Sequence, residues 1–284
     1  MNLLAPVKTS PLPASIEMLP KQVPSAEVLR ALLPAGTGVY LTDISTTEID
    51  DGMVSAARKL RDANCQPIPH LAARRFKSRD ALERKLAMLT QNAGVTDVLV
   101  IGGSVNPPRG PYASSMDLLQ TGLLDRFGIV DFAVAGHPEG TPDFAQTVAL
   151  QALHDKQEFA KFAKARMRIV TQFGFNSTKT LAWADNLKVA GIEVPVHVGV
   201  AGPAKLTTII KYAALCGVTS SVSMMTKRAS GMISLATGYK PDTVVMPVES
   251  ALVTHKESLI SQMHVFPFGG LDGAAAWLRK RGSW

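Results

Sequence analysis

Asp97-Val98-Leu99-Val100-Ile101-Gly102-Gly103 is a short, unbroken apolar run stopped by two glycines and followed by a Pro/Gly-rich loop. A run of this length without polar alternation is what a strand covered on both faces requires. The same unit recurs in both directions along the chain. Downstream, a helix over 115–127 leads to Asp131-Phe132-Ala133-Val134-Ala135, and a long helix from 143 to 164 precedes Arg168-Ile169-Val170-Thr171-Gln172-Phe173. A helix over 177–190 then leads into Val194–Val200, and 204–216 is helical. Upstream, residues 14–18, 38–44 and Gln66–Ala73 read as strands, with helices near 25–33 and over 47–63 between them. Ser78 is placed to cap the helix that begins at Arg79. The stretch 219–261 is less regular and reads as an insertion with extra helices, before a last strand near 262–268 and a terminal helix over 271–281.

Parallel strands need crossover connections, and helices supply them. Eight strand–helix units in 284 residues, with no linker or composition break, predict an α/β fold: one (β/α)8 TIM barrel spanning residues 1–284 as a single domain. A Rossmann sheet would need fewer strands and a G-x-G-x-x-G turn; Gly102-Gly103-Ser104 follows a strand but lacks that spacing, and no Walker-A sequence occurs.

Composition narrows the class further. The chain is 46% apolar and 19% charged, which excludes wholesale disorder. No segment approaches the roughly 20 apolar residues of a membrane helix, so no membrane partner is expected. Two cysteines, Cys65 and Cys216, cannot build a disulfide framework, and the N-terminus lacks a signal-peptide core. A reducing, cytoplasmic location is the expectation, and a homo-oligomer is compatible with it. The net charge of +7 suggests an anionic partner. The basic strings (Arg74-Arg75-Phe76-Lys77, Lys227-Arg228, Arg279-Lys280-Arg281) are short, and only 6% of residues are aromatic. Nucleic acid is therefore not expected; a small anionic ligand is.

In a barrel of this kind chemistry gathers at the C-terminal strand ends. Glu17 lies within the first strand between Ile16 and Met18, an expensive place for a carboxylate unless it faces a polar cavity. It reads either as the partner of a buried Lys or Arg, or as a general acid with a raised pKa. Thr42 and Asp43 end the second strand, with Asp43 also placed to cap the next helix, and His70 ends the third, either as a satisfied core histidine or as a site residue. Gly102, Gly103 and Ser104 end the fourth, forming either a simple turn or a place where a flat ligand approaches backbone amides. His137-Pro138-Glu139 ends the fifth. Gln172, in the sixth, either satisfies a barrel neighbour or reads the edge of a heterocycle. His197 and His264 read first as structural. No spaced His, Cys or carboxylate set suits a metal, no Gly-x-Ser-x-Gly elbow occurs, and no lysine sits inside a strand for a Schiff base. One acid among neutral hydrogen-bonding groups and glycines suits a bound heterocycle better than hydrolysis.

In order and spacing these pieces resemble the methylenetetrahydrofolate reductase family. The likeness runs through Ser15-Ile16-Glu17-Met18-Leu19-Pro20, Leu41-Thr42-Asp43, Ile68-Pro69-His70-Leu71, Gly102-Gly103 with Tyr112-Ala113-Ser114, Ala135-Gly136-His137-Pro138-Glu139-Gly140, Val170-Thr171-Gln172-Phe173 and His264-Val265-Phe266-Pro267-Phe268. The resemblance implies a (β/α)8 oxidoreductase that interconverts 5,10-methylenetetrahydrofolate and 5-methyltetrahydrofolate with NADH or NADPH, through bound FAD in the flavin-dependent members. It makes Glu17 the catalytic acid. Gln172, with Phe173 and Ser104, would hold the folate. Thr42, His70, Gly102, Gly103, Ser104, Tyr112, Ala113, Ala135, His137 and Lys161 fall at cofactor-contacting positions.

The sequence also departs from the family pattern. Ser104 stands where flavin-dependent members carry Asp, His137 replaces a tyrosine, Thr141 a histidine, His154 an acid, and Gly270 an arginine of some members. Direct hydride transfer without flavin, a non-catalytic folate- or pterin-binding barrel, and a pterin methyltransferase are the alternatives these changes leave open. Folate carboxylates and nucleotide pyrophosphates are both anionic, and Lys161 and Arg109 are the cations expected to meet them. Activity should therefore weaken as added salt screens ligand entry; steady-state rates that stay flat across a salt series would make the +7 charge incidental.

Overall fold

The computed structural model describes residues 10–43, 51–216, 218 and 238–284. Eight strands close into one barrel in sequence order: β1 (Ala14–Met18), β2 (Gly38–Leu41), β3 (Gln66–Ala72), β4 (Asp97–Ile101), β5 (Asp131–Gly136), β6 (Arg166–Thr171), β7 (Val196–Ala201) and β8 (Ile260–Phe266). Every neighbouring pair is parallel, and closure pairs Ala14 with Met263, Ser15 with His264 and Ile16 with Val265. The helices outside the barrel are α1 (Ala26–Leu32), α2 (Asp51–Asp62), α3 (Arg79–Ala93), α4 (Ser115–Leu119), α5 (Leu123–Arg126), α6 (Gln146–Ala160), α7 (Ser177–Val189), α8 (Leu206–Leu215), α9 (Asp242–Thr254) and α10 (Leu271–Arg281). The single-domain (β/α)8 expectation holds. Among the described residues no helix is long and apolar enough to cross a membrane.

Burial on both strand faces explains the unbroken apolar runs. Val39, Leu41, Val98, Val100, Phe132 and Val134 belong to the main core with residues of the surrounding helices, while Tyr40, Ile68, Leu99, Ala133 and Val170 alternate with them and fill the barrel interior. Ser78 caps α3 as its position suggests, accepting from the Ala81 amide at 3.2 Å, and Gly94 ends that helix in the left-handed conformation.

Several boundaries differ from the sequence reading. β6 starts two residues early because Arg166 pairs in register with Asp131 and grips its carboxylate with two hydrogen bonds of 2.8 and 2.9 Å; two charged residues disguised a strand start. The helix expected over 115–127 is two, broken at Gly122. α6 is shorter at both ends than 143–164, and β2 stops before Thr42. Of the irregular insertion, 219–237 lies outside the described residues, whereas 242–254 is the regular helix α9 and β8 begins at Ile260. Residues 44–50, at the start of the helix expected over 47–63, also lie outside them.

Gly199 shows how closely β6 and β7 approach. Its amide donates to Thr171 Oγ1 at 2.7 Å, and a Cβ here would press on the Thr171 carbonyl oxygen and lie 2.7 Å from the Gln172 carbonyl carbon. Gly199→Ala should lower stability by about 1–3 kcal/mol through overpacking, read as a reduced urea midpoint.

Candidate active site

β1 carries Ser15 and Glu17 on its inward face, because Ala14, Ile16 and Met18 face the helices and side chains alternate along a strand. Barrel closure brings β8 alongside and puts His264 between them. The His264 ring is fully buried; Nδ1 lies 3.0 Å from Ser15 Oγ and Nε2 3.5 Å from Glu17 Oε2. From β3, His70 Nε2 also stands 3.5 Å from Glu17 Oε2, but without hydrogen-bond geometry, so this nitrogen is unpartnered. Thr42, just beyond β2, donates its hydroxyl toward Glu17 Oε1 and the Met18 carbonyl, each at 3.3 Å.

Burial pushes the Glu17 carboxyl pKa upward, but the hydrogen bond from His264, the charges of His70 and His264 and the Thr42 hydroxyl outweigh it and hold the group below its ordinary value. Glu17 is therefore an ionised carboxylate in the free protein, contrary to the raised pKa expected from its place in a strand; the sequence did not show that two imidazoles would converge on it. Burial lowers the His70 pKa, with the Glu17 charge opposing and His264 adding to the effect. The Ser15 hydroxyl also lies 3.3 Å from the Met263 carbonyl oxygen, so Ser15 links His264 Nδ1 to the β8 backbone.

An aromatic wall stands beside this group. Phe173 meets Phe175, Phe266 and Phe268 edge-on at 5.7, 5.2 and 4.9 Å, and Tyr212 of α8 stacks on Phe268 at 4.4 Å and 13°. Phe266 touches the His264 ring at 4.8 Å, joining the wall to the acid. At the end of β4, Gly102 has open space where a side chain would project, and Gly103 has φ +84°. Gln172 spends its Oε1 on the Phe173 amide at 3.0 Å.

The other expected positions divide. Ala135 and His137 follow the inward alternation of β5, and the His137 ring meets Phe144 edge-on at 5.4 Å. Ser104 and Ala113 are exposed, and the Ala113 carbonyl is held by Arg74 at 2.7 Å. Tyr112 is buried in the main core. Phe173 is only 1% exposed, so it supports the aromatic wall from behind rather than presenting a free face. Asp43 pairs with Lys85 of α3 at 3.0 Å. Glu139 accepts the Phe175 and Asn176 amides at 2.6 and 2.8 Å, which anchors the loop after β6. Lys161 does not reach the mouth: it is exposed past the end of α6 and pairs with Glu158 at 2.6 Å. The buried cation on that helix is Lys156, 9% exposed and without a hydrogen-bond or ion-pair partner among the described residues. Burial lowers its pKa, with Asp155 opposing, and its charge acts on His137. Lys156, Ser15 and His264 are the site groups that sequence reasoning missed or set aside. The spacing Leu153, Lys156, Gln157 could have placed Lys156 on the inward face of its helix.

Fold and site together define a (β/α)8 barrel with an ionised carboxylate between two imidazoles at the C-terminal end. No family model matches the chain. Among solved structures, a protein from Clostridium thermocellum that binds two copies of 5-methyl-5,6,7,8-tetrahydrofolic acid is similar over 97% of this chain and 96% of its own, with a TM-score of 0.64 at 12% identity. A dihydropteroate synthase from Thermus thermophilus, solved with 6HMPPP, aligns over 96% and 94% with a TM-score of 0.48 at 12% identity. The first likeness establishes the shared fold; the second is too distant to add to it.

His197, inside β7, has its pKa pushed down from 6.5 to about 3 by burial and then by the charges of Arg168 and His264, and its Nδ1 has no partner. The unfolded chain binds this proton near pH 6.5 and the folded one does not, so stability rises with pH across that interval and is lost as pH falls from 6.5 toward 3. His197→Asn should flatten this part of the pH dependence; urea midpoints at a series of pH values between those limits would reveal an unchanged slope if His197 contributes nothing.

Proposed function

We propose that this chain is a folate-dependent oxidoreductase that interconverts 5,10-methylenetetrahydrofolate and 5-methyltetrahydrofolate with NADH or NADPH. The observation that carries the reading is Glu17, ionised and held between His264 and His70 beneath an aromatic wall. The similar barrel from Clostridium thermocellum, which binds 5-methyltetrahydrofolate, supports folate as the heterocycle.

The reaction consumes one hydride and one proton in the reductive direction. The N10–methylene bond breaks, a C–H bond forms at the resulting iminium carbon, and the proton ends on N10. Run backwards, the proton leaves N10 as the ring closes. Glu17 handles that proton: as a carboxylate it accepts it directly in the oxidative direction, and in the reductive direction it must first be protonated. His264, within 3.5 Å and tied to Ser15, steadies whichever form is present. Gln172 keeps its Nε2 amide available for a heterocycle acceptor, and the aromatic wall excludes water.

FAD suits part of the mouth. Gly102 leaves open space for a flat ring, Thr42, His70, Ala135 and His137 line the neighbouring strand ends, and the unpartnered Lys156 would take a phosphate in place of Lys161. When bound, flavin would carry hydride between nicotinamide and the folate carbon. Ser104 supplies a hydroxyl where flavin-dependent members carry an acid, and flavin-free hydride transfer is the alternative that this change keeps open.

Purified protein should oxidise NADH only when methylenetetrahydrofolate is present, and its visible spectrum reports whether flavin is retained. Glu17→Gln should cut folate turnover by about a hundredfold or more, the scale of a lost proton-transfer group, while leaving folate binding within a few-fold. Tight folate binding with no turnover in either direction, with or without added FAD, would replace the reductase by a binding barrel.

A further inference from the structure

Beneath Glu17 the barrel interior holds a second polar group, which the proton chemistry above does not use. Tyr40 is fully buried, and in the β1–β2 register it sits beside Glu17. Its hydroxyl accepts two hydrogen bonds from Arg168 of β6, from Nε at 2.9 Å and Nη2 at 2.8 Å. Arg168 Nη2 also donates to Asp97 Oδ1 at 2.9 Å, and Gln66 Nε2 holds Asp97 Oδ2 at 3.1 Å. Three strands besides its own thus fix the outer end of the tyrosine. The other side of the ring rests on the two imidazoles that flank Glu17. It lies 4.4 Å from the His264 ring at 59° and 6.2 Å from the His70 ring at 75°.

An arginine–aspartate pair inside a barrel is a poor way to gain stability, because apolar residues of the same volume serve as well or better. What such a pair does supply is fixed orientation. Its apolar neighbours in the interior are Ile68, Leu99, Ala133 and Val170, and the Arg168 hydrogen bonds converge on the tyrosine hydroxyl. His264 is faced by Ser15 and Glu17 from β1, Tyr40 from β2 and Phe266 from its own strand. Ser15 and Glu17 hold its two nitrogens in line, yet two end contacts still let the ring turn about that line. The Tyr40 ring at 4.4 Å is the nearer of the two aromatic rings that oppose this turn, Phe266 at 4.8 Å being the other.

We propose that Tyr40, anchored by Arg168 and Asp97, is a positioning residue that sets the plane of the His264 ring and so the direction of the His264–Glu17 contact. Its effect on turnover rests on the reductase reading above; its effect on the imidazole does not. Tyr40→Phe keeps the ring and loses both anchoring hydrogen bonds; Tyr40→Leu loses the ring as well.

Long-range 1H–15N spectra of the histidine rings, recorded on the whole ligand-free protein, read the tautomer and exchange of His264, with His264→Asn assigning its signals. Wild type should show one sharp set of His264 signals. Tyr40→Leu should shift and broaden the His264 ring resonances as the ring turns about its Nδ1–Nε2 line, and Tyr40→Phe should show the same change to a lesser degree. In turnover, kcat should fall about tenfold or more in Tyr40→Leu and about threefold in Tyr40→Phe, with KM within about twofold, the pattern of a misaligned group rather than lost binding. A sharp wild-type His264 signal and unchanged kcat in folded Tyr40→Leu would overturn the proposal, whatever its melting temperature. If Tyr40→Leu does not fold, a wild-type His264 spectrum in Tyr40→Phe overturns it instead. Wild-type protein without folate turnover defeats the reductase reading alone, because the spectra still decide what Tyr40 does.

Discussion

Taking a carboxylate out of water costs several kcal/mol unless charge and hydrogen bonds are supplied in its place, and the C-terminal end of this barrel is arranged around that requirement at Glu17. The compensating groups come from three separate strand regions: His264 from β8, His70 from β3 and Thr42 just after β2. None is near in sequence; His264 is 247 residues away and reaches Glu17 only because β8 closes against β1. Closure is thus a condition for a tolerable Glu17, and Glu17 is the reason the strand ends around it are polar.

The interior below follows the same logic at one remove. Asp97 and Arg168 neutralise each other, and what they jointly hold is an uncharged tyrosine whose ring carries their rigidity upward to His264. Apolar neighbours raise the strength of these contacts and also the cost of leaving any of them unmade. A network of this kind is rigid because each member would be stranded without the others. The helix shell, by contrast, is held largely by apolar contact, and its exposed ion pairs, Lys188–Glu257 among them, contribute little.

The strand count, the parallel order and the place of Glu17 were legible because two-sided burial writes unbroken Val/Ile/Leu runs such as Val98–Ile101 into a sequence. β1, β4 and α10 fall at their expected limits for that reason. Boundaries failed where charge sat on a strand, as with Arg166 on β6. Within the site, residues next to a recognisable motif were visible, while their roles depended on direction. Lys161 and Lys156 lie on the same stretch of chain, but only the helix phase shows which is buried. His264 was set aside as structural because a lone histidine in an apolar run carries no sign of the serine and glutamate that only the closed barrel places beside it. The pKa of Glu17 had the wrong sign in the sequence reading for the same reason: burial is visible in a sequence, and convergent partners are not.

That sign bears on how the site can work. A carboxyl raised by burial alone would hold its proton at neutral pH and act as a ready acid. A carboxyl lowered by two imidazoles and a hydroxyl stays ionised but is a weaker base than a free carboxylate, and it holds a proton only when its neighbours change. A heterocycle seated against the aromatic wall would bring such a change, since its own ring nitrogens would take the place of water at the mouth and compete for the same hydrogen bonds. On the reductase reading, both the arrival of a proton at Glu17 and its departure are coupled to ligand binding. On that reading Glu17 and His264 work as a pair, the imidazole orienting the carboxylate and the ligand nitrogen setting when a proton moves.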